Sequence, residues 1–247
     1  MSTQVQAEVV SPQTAAYRGV SWVCLIVALT HVLATLLAVY VIREGNLGDF
    51  SPLKIMHFIP LHALIWRCAW LAAAASSLSY LVLVVCICAL LDRKLRRALT
   101  VAILFTTVAL ANDLSGQFSM MVLFSDLAQQ LHGHGTFLQH ETVQLAWATM
   151  NQALSQTMLI ANTLYSAAGM LVVVCALLTR SFPAWLAWLG LPVWMARLNV
   201  SILVFVGALK WALVLLVAST VGFVVWTTVM GMGLRLLGKP QAGSSVS

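Results

Sequence analysis

Apolar runs longer than the roughly 20 residues needed to cross a bilayer recur along the whole chain, and they constrain its fold more than any other feature. They cover residues 20–42, 60–91, 98–124 and 142–178, and a last stretch ending at residue 237 is long enough for two crossings. Charged residues are 8% of the chain, against about a quarter in a soluble domain. No water satisfies backbone N–H and C=O groups inside a bilayer, so the spanning elements must be helices or a closed barrel. Unbroken apolar runs lack the alternation of barrel strands. The expected fold is therefore all-α, a polytopic bundle of six transmembrane helices over residues 20–237. Tails are expected at 1–19 and 238–247, the latter Gly/Ser-rich and disordered, and polar outer loops at 43–57 and 125–141. The first run exceeds a signal-peptide core and reads as a retained anchor.

The formal net charge of +6 is explained by orientation, and no nucleic-acid partner is expected. Eight basic residues (Arg18, Arg93, Lys94, Arg96, Arg97, Arg180, Arg235, Lys239) fall on the side of the termini, and Arg43, Lys54 and Lys210 on the other. The positive-inside rule then places both termini in the cytoplasm and the loop at 125–141 outside. Cys24, Cys68, Cys86, Cys88 and Cys175 all lie in apolar runs and read as packing residues.

Polar chemistry is concentrated between residues 112 and 162. A helix rises 1.5 Å per residue and the hydrocarbon is about 30 Å thick, so the basic turns serve as a depth ruler. It puts Asn112, Asp113 and Asn162 just inside the outer boundary and Arg67 at it, with Gln117 near the outer edge. Gln156, Gln152 and Asn151 stand beyond the lipid, and the long second and fourth helices are expected to project outward together. Asn151, Ser155, Met158, Asn162, Ser166 and Gly169 recur at spacings of three and four and so share a helix face. That face is either a packing seam of small and polar residues or the wall of a ligand cleft. Asp113 is the natural partner of Arg67 or Arg197; with two cations to one anion, an arginine is left over for a carboxylate, phosphate or headgroup. The candidate ligand-binding set is Arg67, Asn112, Asp113, Gln117, Asn151, Gln156, Asn162 and Arg197, with Arg197 included only if the Trp-rich segment at residues 183–192 spans the membrane.

His132, His134, His140 and Glu141 form either a solvated, pH-responsive loop or a copper or zinc site, with His57 and His62 available to complete it. The order His140-Glu141-Thr142-Val143-Gln144 is not H-E-x-x-H, which removes the metalloprotease reading. His31 lies mid-span while the other histidines lie at or beyond the outer interface, which argues against a bis-His haem in the bilayer. His31 reads as a buried histidine bonded to a neighbouring helix. No Ser or Cys stands in a recognisable constellation with a His and an acid, so no catalytic residue is assigned.

Asn162-Thr163-Leu164-Tyr165-Ser166-Ala167-Ala168-Gly169 and Pro183-Ala184-Trp185-Leu186-Ala187-Trp188-Leu189-Gly190 together resemble the final third of a broad group of uncharacterised bacterial six-span membrane proteins. The resemblance implies a bundle in the bacterial inner membrane and brings no activity with it. The function expected is a non-enzymatic one: an outward-facing polar cleft that binds a small or lipid-like ligand or docks a partner subunit. A membrane oxidoreductase or metal protein using the outer histidines, and a secondary transporter, are the alternatives.

Overall fold

The computed structural model describes residues 12–44, 51–133, 139–180 and 182–238, and shows no strand among them. Helix α1 is Pro12–Glu44, α2 Pro52–Leu61, α3 Ala63–Leu90, α4 Arg96–Phe118, α5 Phe124–Gly133 and α6 Gln139–Leu154. They are followed by α7 Asn162–Leu178, α8 Ala184–Phe205 and α9 Leu209–Leu237. Two π-helical segments, Ser119–Leu123 and Ser155–Ala161, join α4 to α5 and α6 to α7 without a break.

Six of the resulting rods are long and apolar enough to span a membrane: Thr14–Arg43, Ala63–Leu90, Arg93–Leu131, Glu141–Leu178, Ala184–Phe205 and Leu209–Leu237. The chain is therefore a multi-pass membrane protein. The spans form a closed ring, since α1 packs on α3 and α9, α3 on α4, α4 on α7, α7 on α8 and α8 on α9. Large apolar side chains such as Leu29, Leu36, Leu78, Leu104 and Val225 cover the outside of the ring. Such an outer surface is stable only against lipid.

The start of α1 and the end of α9 lie at one end of the ring, called here the tail end, where Arg18 Nε donates to the Gly238 carbonyl at 2.6 Å. Ser21 Oγ donates to the Gly231 carbonyl at 2.7 Å one turn deeper, so α1 and α9 lie in close contact there. The two tail-end turns are also tied together, with Asp92 N donating to Thr179 Oγ1 at 3.3 Å. At the opposite end, the third and fourth spans are 39 and 38 residues long, about 57 Å of helix against about 30 Å of hydrocarbon. They project as α5 and α6, and α2 lies against them. Ile55, Met56, Ile59, Trp66, Phe124 and Met150 form a separate apolar core in this cap. Helix α5 shows why the cap folds: Phe124, Ser125, Leu127 and Ala128 are buried while Asp126, Gln129 and Gln130 are exposed, the pattern of a helix with one wet face.

The structure corrects the expected element limits in three places. The longest projections are those of the third and fourth spans, 39 and 38 residues, rather than of the second and fourth, because the second run keeps only 28 residues as α3 once the chain turns off at His62 into α2. Most of the expected loops is helical, since α2 begins at Pro52 and α5 continues to Gly133. The turn into the last span falls at Val206–Ala208 rather than at Lys210-Trp211. Gly207 adopts φ 78° there with open space around it, so a missing Cβ is needed for the backbone angle and not for room.

Candidate functional site

A cavity of about 320 Å³ lies inside the ring, and every one of the six spans contributes to its wall. Along α1 it runs from His31 to Ile42, which is about 16 Å of helix rise directed toward the cap. Its cap-side wall is apolar, with Val41, Ile42, Trp70, Leu154 and Leu213. Polar groups converge deeper, and below them lies an aromatic floor. Tyr80 meets Tyr165 edge-on at 5.1 Å and Trp194 at 5.3 Å, and Phe223 lies 5.7 Å from Trp194. Trp194 reaches this position because α7 carries Gly169 opposite it; a Cβ there would be 2.2 Å from the indole.

On one side of the cavity, α3 and α4 hold a carboxylate. Ser77 Oγ donates to Asp113 Oδ2 at 2.6 Å and accepts from Gln117 Nε2 at 3.2 Å. A hydroxyl has one proton to give, and the Ala73 carbonyl at 3.1 Å is the longer alternative. Asp113 and Gln117 are both buried, one helical turn apart on the face of α4 turned to α3. Tyr165 stands next to Asp113 and Ser77, but its buried hydroxyl has no hydrogen bond of good geometry.

On the other side, α8 and α9 hold a guanidinium. Arg197 Nη2 donates to Thr220 Oγ1 at 3.3 Å, and its Cζ lies 5.2 Å from the centroid of the Phe223 ring. Its Nε is buried with no partner, as are the indole N–H of Trp70 and the amide oxygen of Gln117. Arg197 and Asp113 feel one another electrostatically without forming an ion pair. Each is held by its own neighbours, the acid by α3 and the base by α9.

Asn162 has a different task. Its Nδ2 donates to the Arg197 carbonyl at 2.6 Å and to Ser201 Oγ at 2.9 Å, and Ser201 Oγ in turn donates to the Met158 carbonyl at 3.1 Å. It bolts α7 to α8 at the level of the cavity, as polar side chains do between membrane helices. His31 also lines the cavity. Its Nδ1 contacts the Val27 carbonyl of its own helix at 2.9 Å, and its ring lies 4.7 Å from that of Phe223. It is buried as expected but is bonded within α1, and its contact with α9 is a ring contact.

Of the expected ligand residues, Asp113, Gln117, Asn162 and Arg197 line this one cavity. The Trp-rich segment is the start of a span, since α8 begins at Ala184, and this brings Arg197 to the same depth as Asn162. The other four residues lie elsewhere. Arg67 and Asn151 are exposed, Asn112 is half-buried with Nδ2 donating to the Val108 carbonyl of its own helix, and Gln156 is half-buried outside the lining. The expected Asp113–Arg67 pair does not form. The stripe on the fourth span holds from Met158 to Gly169 and fails above it, where Asn151 is exposed. Buried positions step from Ala153 to Met158, five residues, because the π segment inserts one residue that a 3.6-residue repeat cannot anticipate.

His132, His134 and His140 have side chains outside the described residues; Glu141 is exposed at the start of α6. Among the described residues no three of His, Cys, Asp and Glu come together as a metal-ligand group. His57 is exposed, and His62 stacks on Phe58 at 4.5 Å. Sequence reasoning did not single out Ser77, Tyr80, Tyr165 or Thr220. The signal for the first two was Ser76 and Ser77, four and three residues before Tyr80 in an otherwise apolar helix, a spacing that puts them on one face.

The fold and the cavity thus define a six-span helical membrane protein with an internal chamber that carries one acid and one guanidinium. Comparison with protein-family models, with curated proteins and with solved structures finds no match to the chain.

Proposed function

We propose that this is a bacterial inner-membrane protein that receives a small ligand carrying an anionic group in the chamber between its spans, with Arg197 as the anchor. The observation that carries the reading is the state of Arg197. A guanidinium has five N–H donors, and inside a bilayer an uncompensated cation is expensive. Here it has one bond to a neutral hydroxyl, a ring beneath it and a buried Nε with no partner. A carboxylate or phosphate oxygen would complete it in the geometry that guanidinium groups prefer. The apolar wall toward the cap suits the remainder of such a ligand.

The orientation follows from charge. Arg18, Arg93, Lys94, Arg96, Arg97, Arg180 and Arg235 cluster at the tail end, which supports a cytoplasmic tail end and a cap on the outside. The chamber extends toward the cap, so the ligand enters from the outer side. The test is purification in mild detergent followed by mass spectrometry of what the chamber retains, with Arg197→Gln alongside. Retention of an anionic small molecule by the native chain and its loss from a monodisperse variant is the expected result. Equal retention by both would overturn the proposal.

A further inference from the structure

We infer that the ligand of the chamber is a small zwitterion with an apolar side chain, an amino-acid-like molecule whose carboxylate meets Arg197 and whose ammonium meets Asp113. This rests on the reading of the chamber as a ligand site and names its chemical class. Among the lining residues Asp113 is the one acid and Arg197 the one Lys or Arg. They face the same space without an ion pair, because Ser77 holds the first against α3 and Thr220 and Phe223 hold the second against α9. A simple anion bound at Arg197 would bring like charge beside Asp113, between apolar helices that screen charge weakly. A simple amine at Asp113 would meet the same difficulty with Arg197. A molecule with both charges answers each wall with its opposite and adds no net charge to the membrane interior.

Three further features agree. The volume of about 320 Å³ is at the lower end of ligand pockets, enough for an amino acid and too small for a two-chain lipid. Tyr165 brings its buried, unpartnered hydroxyl beside Asp113, where an ammonium would rest, and a phenolic oxygen accepts a hydrogen bond from an ammonium. Ala38, Val41, Met158 and Leu216 supply an apolar wall for a side chain.

The experiment compares leucine and phenylalanine with the acids that lack their amine, isocaproate and hydrocinnamate, and with the amines that lack their carboxylate, isoamylamine and phenethylamine. Binding to the purified full chain is read from thermal midpoint shifts over a concentration series. The expected result is that at least one amino acid binds about ten- to a hundredfold tighter than its matched acid and amine, the worth of one charge-assisted hydrogen bond. Asp113→Asn should remove the advantage over the acid, and Arg197→Gln the advantage over the amine. The comparison on the native chain decides the matter even if a variant fails to fold. Acids binding as tightly as their amino acids would overturn the zwitterion and leave the anion site standing; amines binding as tightly would overturn both. No response to any of the six, with no anionic molecule retained on purification, would overturn the chamber reading itself.

Discussion

Asn162 and Gly169 sit two turns apart on α7 and secure the cavity in opposite ways, one by bonds and the other by having no side chain. Asn162→Ala removes two hydrogen bonds to α8 and is expected to destabilise the fold by about 1–2 kcal/mol, since each such bond in a membrane interior contributes about 0.6–1 kcal/mol. Gly169→Ala places a methyl group 2.2 Å from the Trp194 ring, which Tyr80 and Phe223 prevent from retreating. Overpacking of this kind costs about 1–3 kcal/mol. Thermal unfolding of the detergent-solubilised variants measures both losses, and native-like midpoints would refute the roles given to these residues. Gly19, with nothing within 4 Å of a built Cβ, is the control: Gly19→Ala should leave the midpoint at or above that of the native chain.

At the scale of elements, the π segments decide how the projecting spans serve two cores. On the fourth span, Ala146, Met150 and Ala153 pack into the cap core, while Met158, Asn162 and Ser166 are buried among the spans. The wide turn of 155–161 takes up one residue, so both groups face inward from a single rod. Deleting Ser155 should let that turn revert to α geometry with both faces still in phase. Deleting Leu171, inside regular α7, turns everything on one side of it by about 100° relative to the other. The first deletion is expected to yield a monodisperse protein with a modestly lowered midpoint, and the second an aggregate on gel filtration. Equal damage from the two would mean that the π segment does not absorb the register. On the third span the Met120 carbonyl, within the other π segment, accepts from Trp66 Nε1 at 3.0 Å, which joins that wide turn to the cap core.

For the whole molecule, the start of α1 and the end of α9 share one end of the ring and the α5–α6 cap forms the other. Gln129 is exposed on α5. A single cysteine placed there, in a chain whose five native cysteines have been replaced, should react with a membrane-impermeant maleimide in intact cells. A reporter fused to either terminus should be active only in the cytoplasm. Labelling of the cap only after lysis would reverse the orientation proposed here.

What depends on sums along the chain is legible in the residues alone. Transfer from water to lipid is nearly additive over residues, so the six spans, the all-α class and the coincidence of the two ends on one side could be read from apolar runs alone. Asp113 and Arg197 could also be picked out, because a charge within such a run is costly wherever its helix points. Contacts between helices decided the rest. Break points at His62 and Gly207 are set by packing and backbone angle inside apolar text, where hydropathy does not change. That helices project beyond the lipid could be read from the length of the apolar runs, but α5 was hidden because its wet face reads as loop. Whether Arg67 or Arg197 shares a chamber with Asp113 depends on how the rods rotate and which are neighbours in the ring. Side-chain packing over long sequence separations fixes that rotation, as in the fit of Gly169 to Trp194 and the bonds of Asn162 to α8, and no sum along the chain contains it.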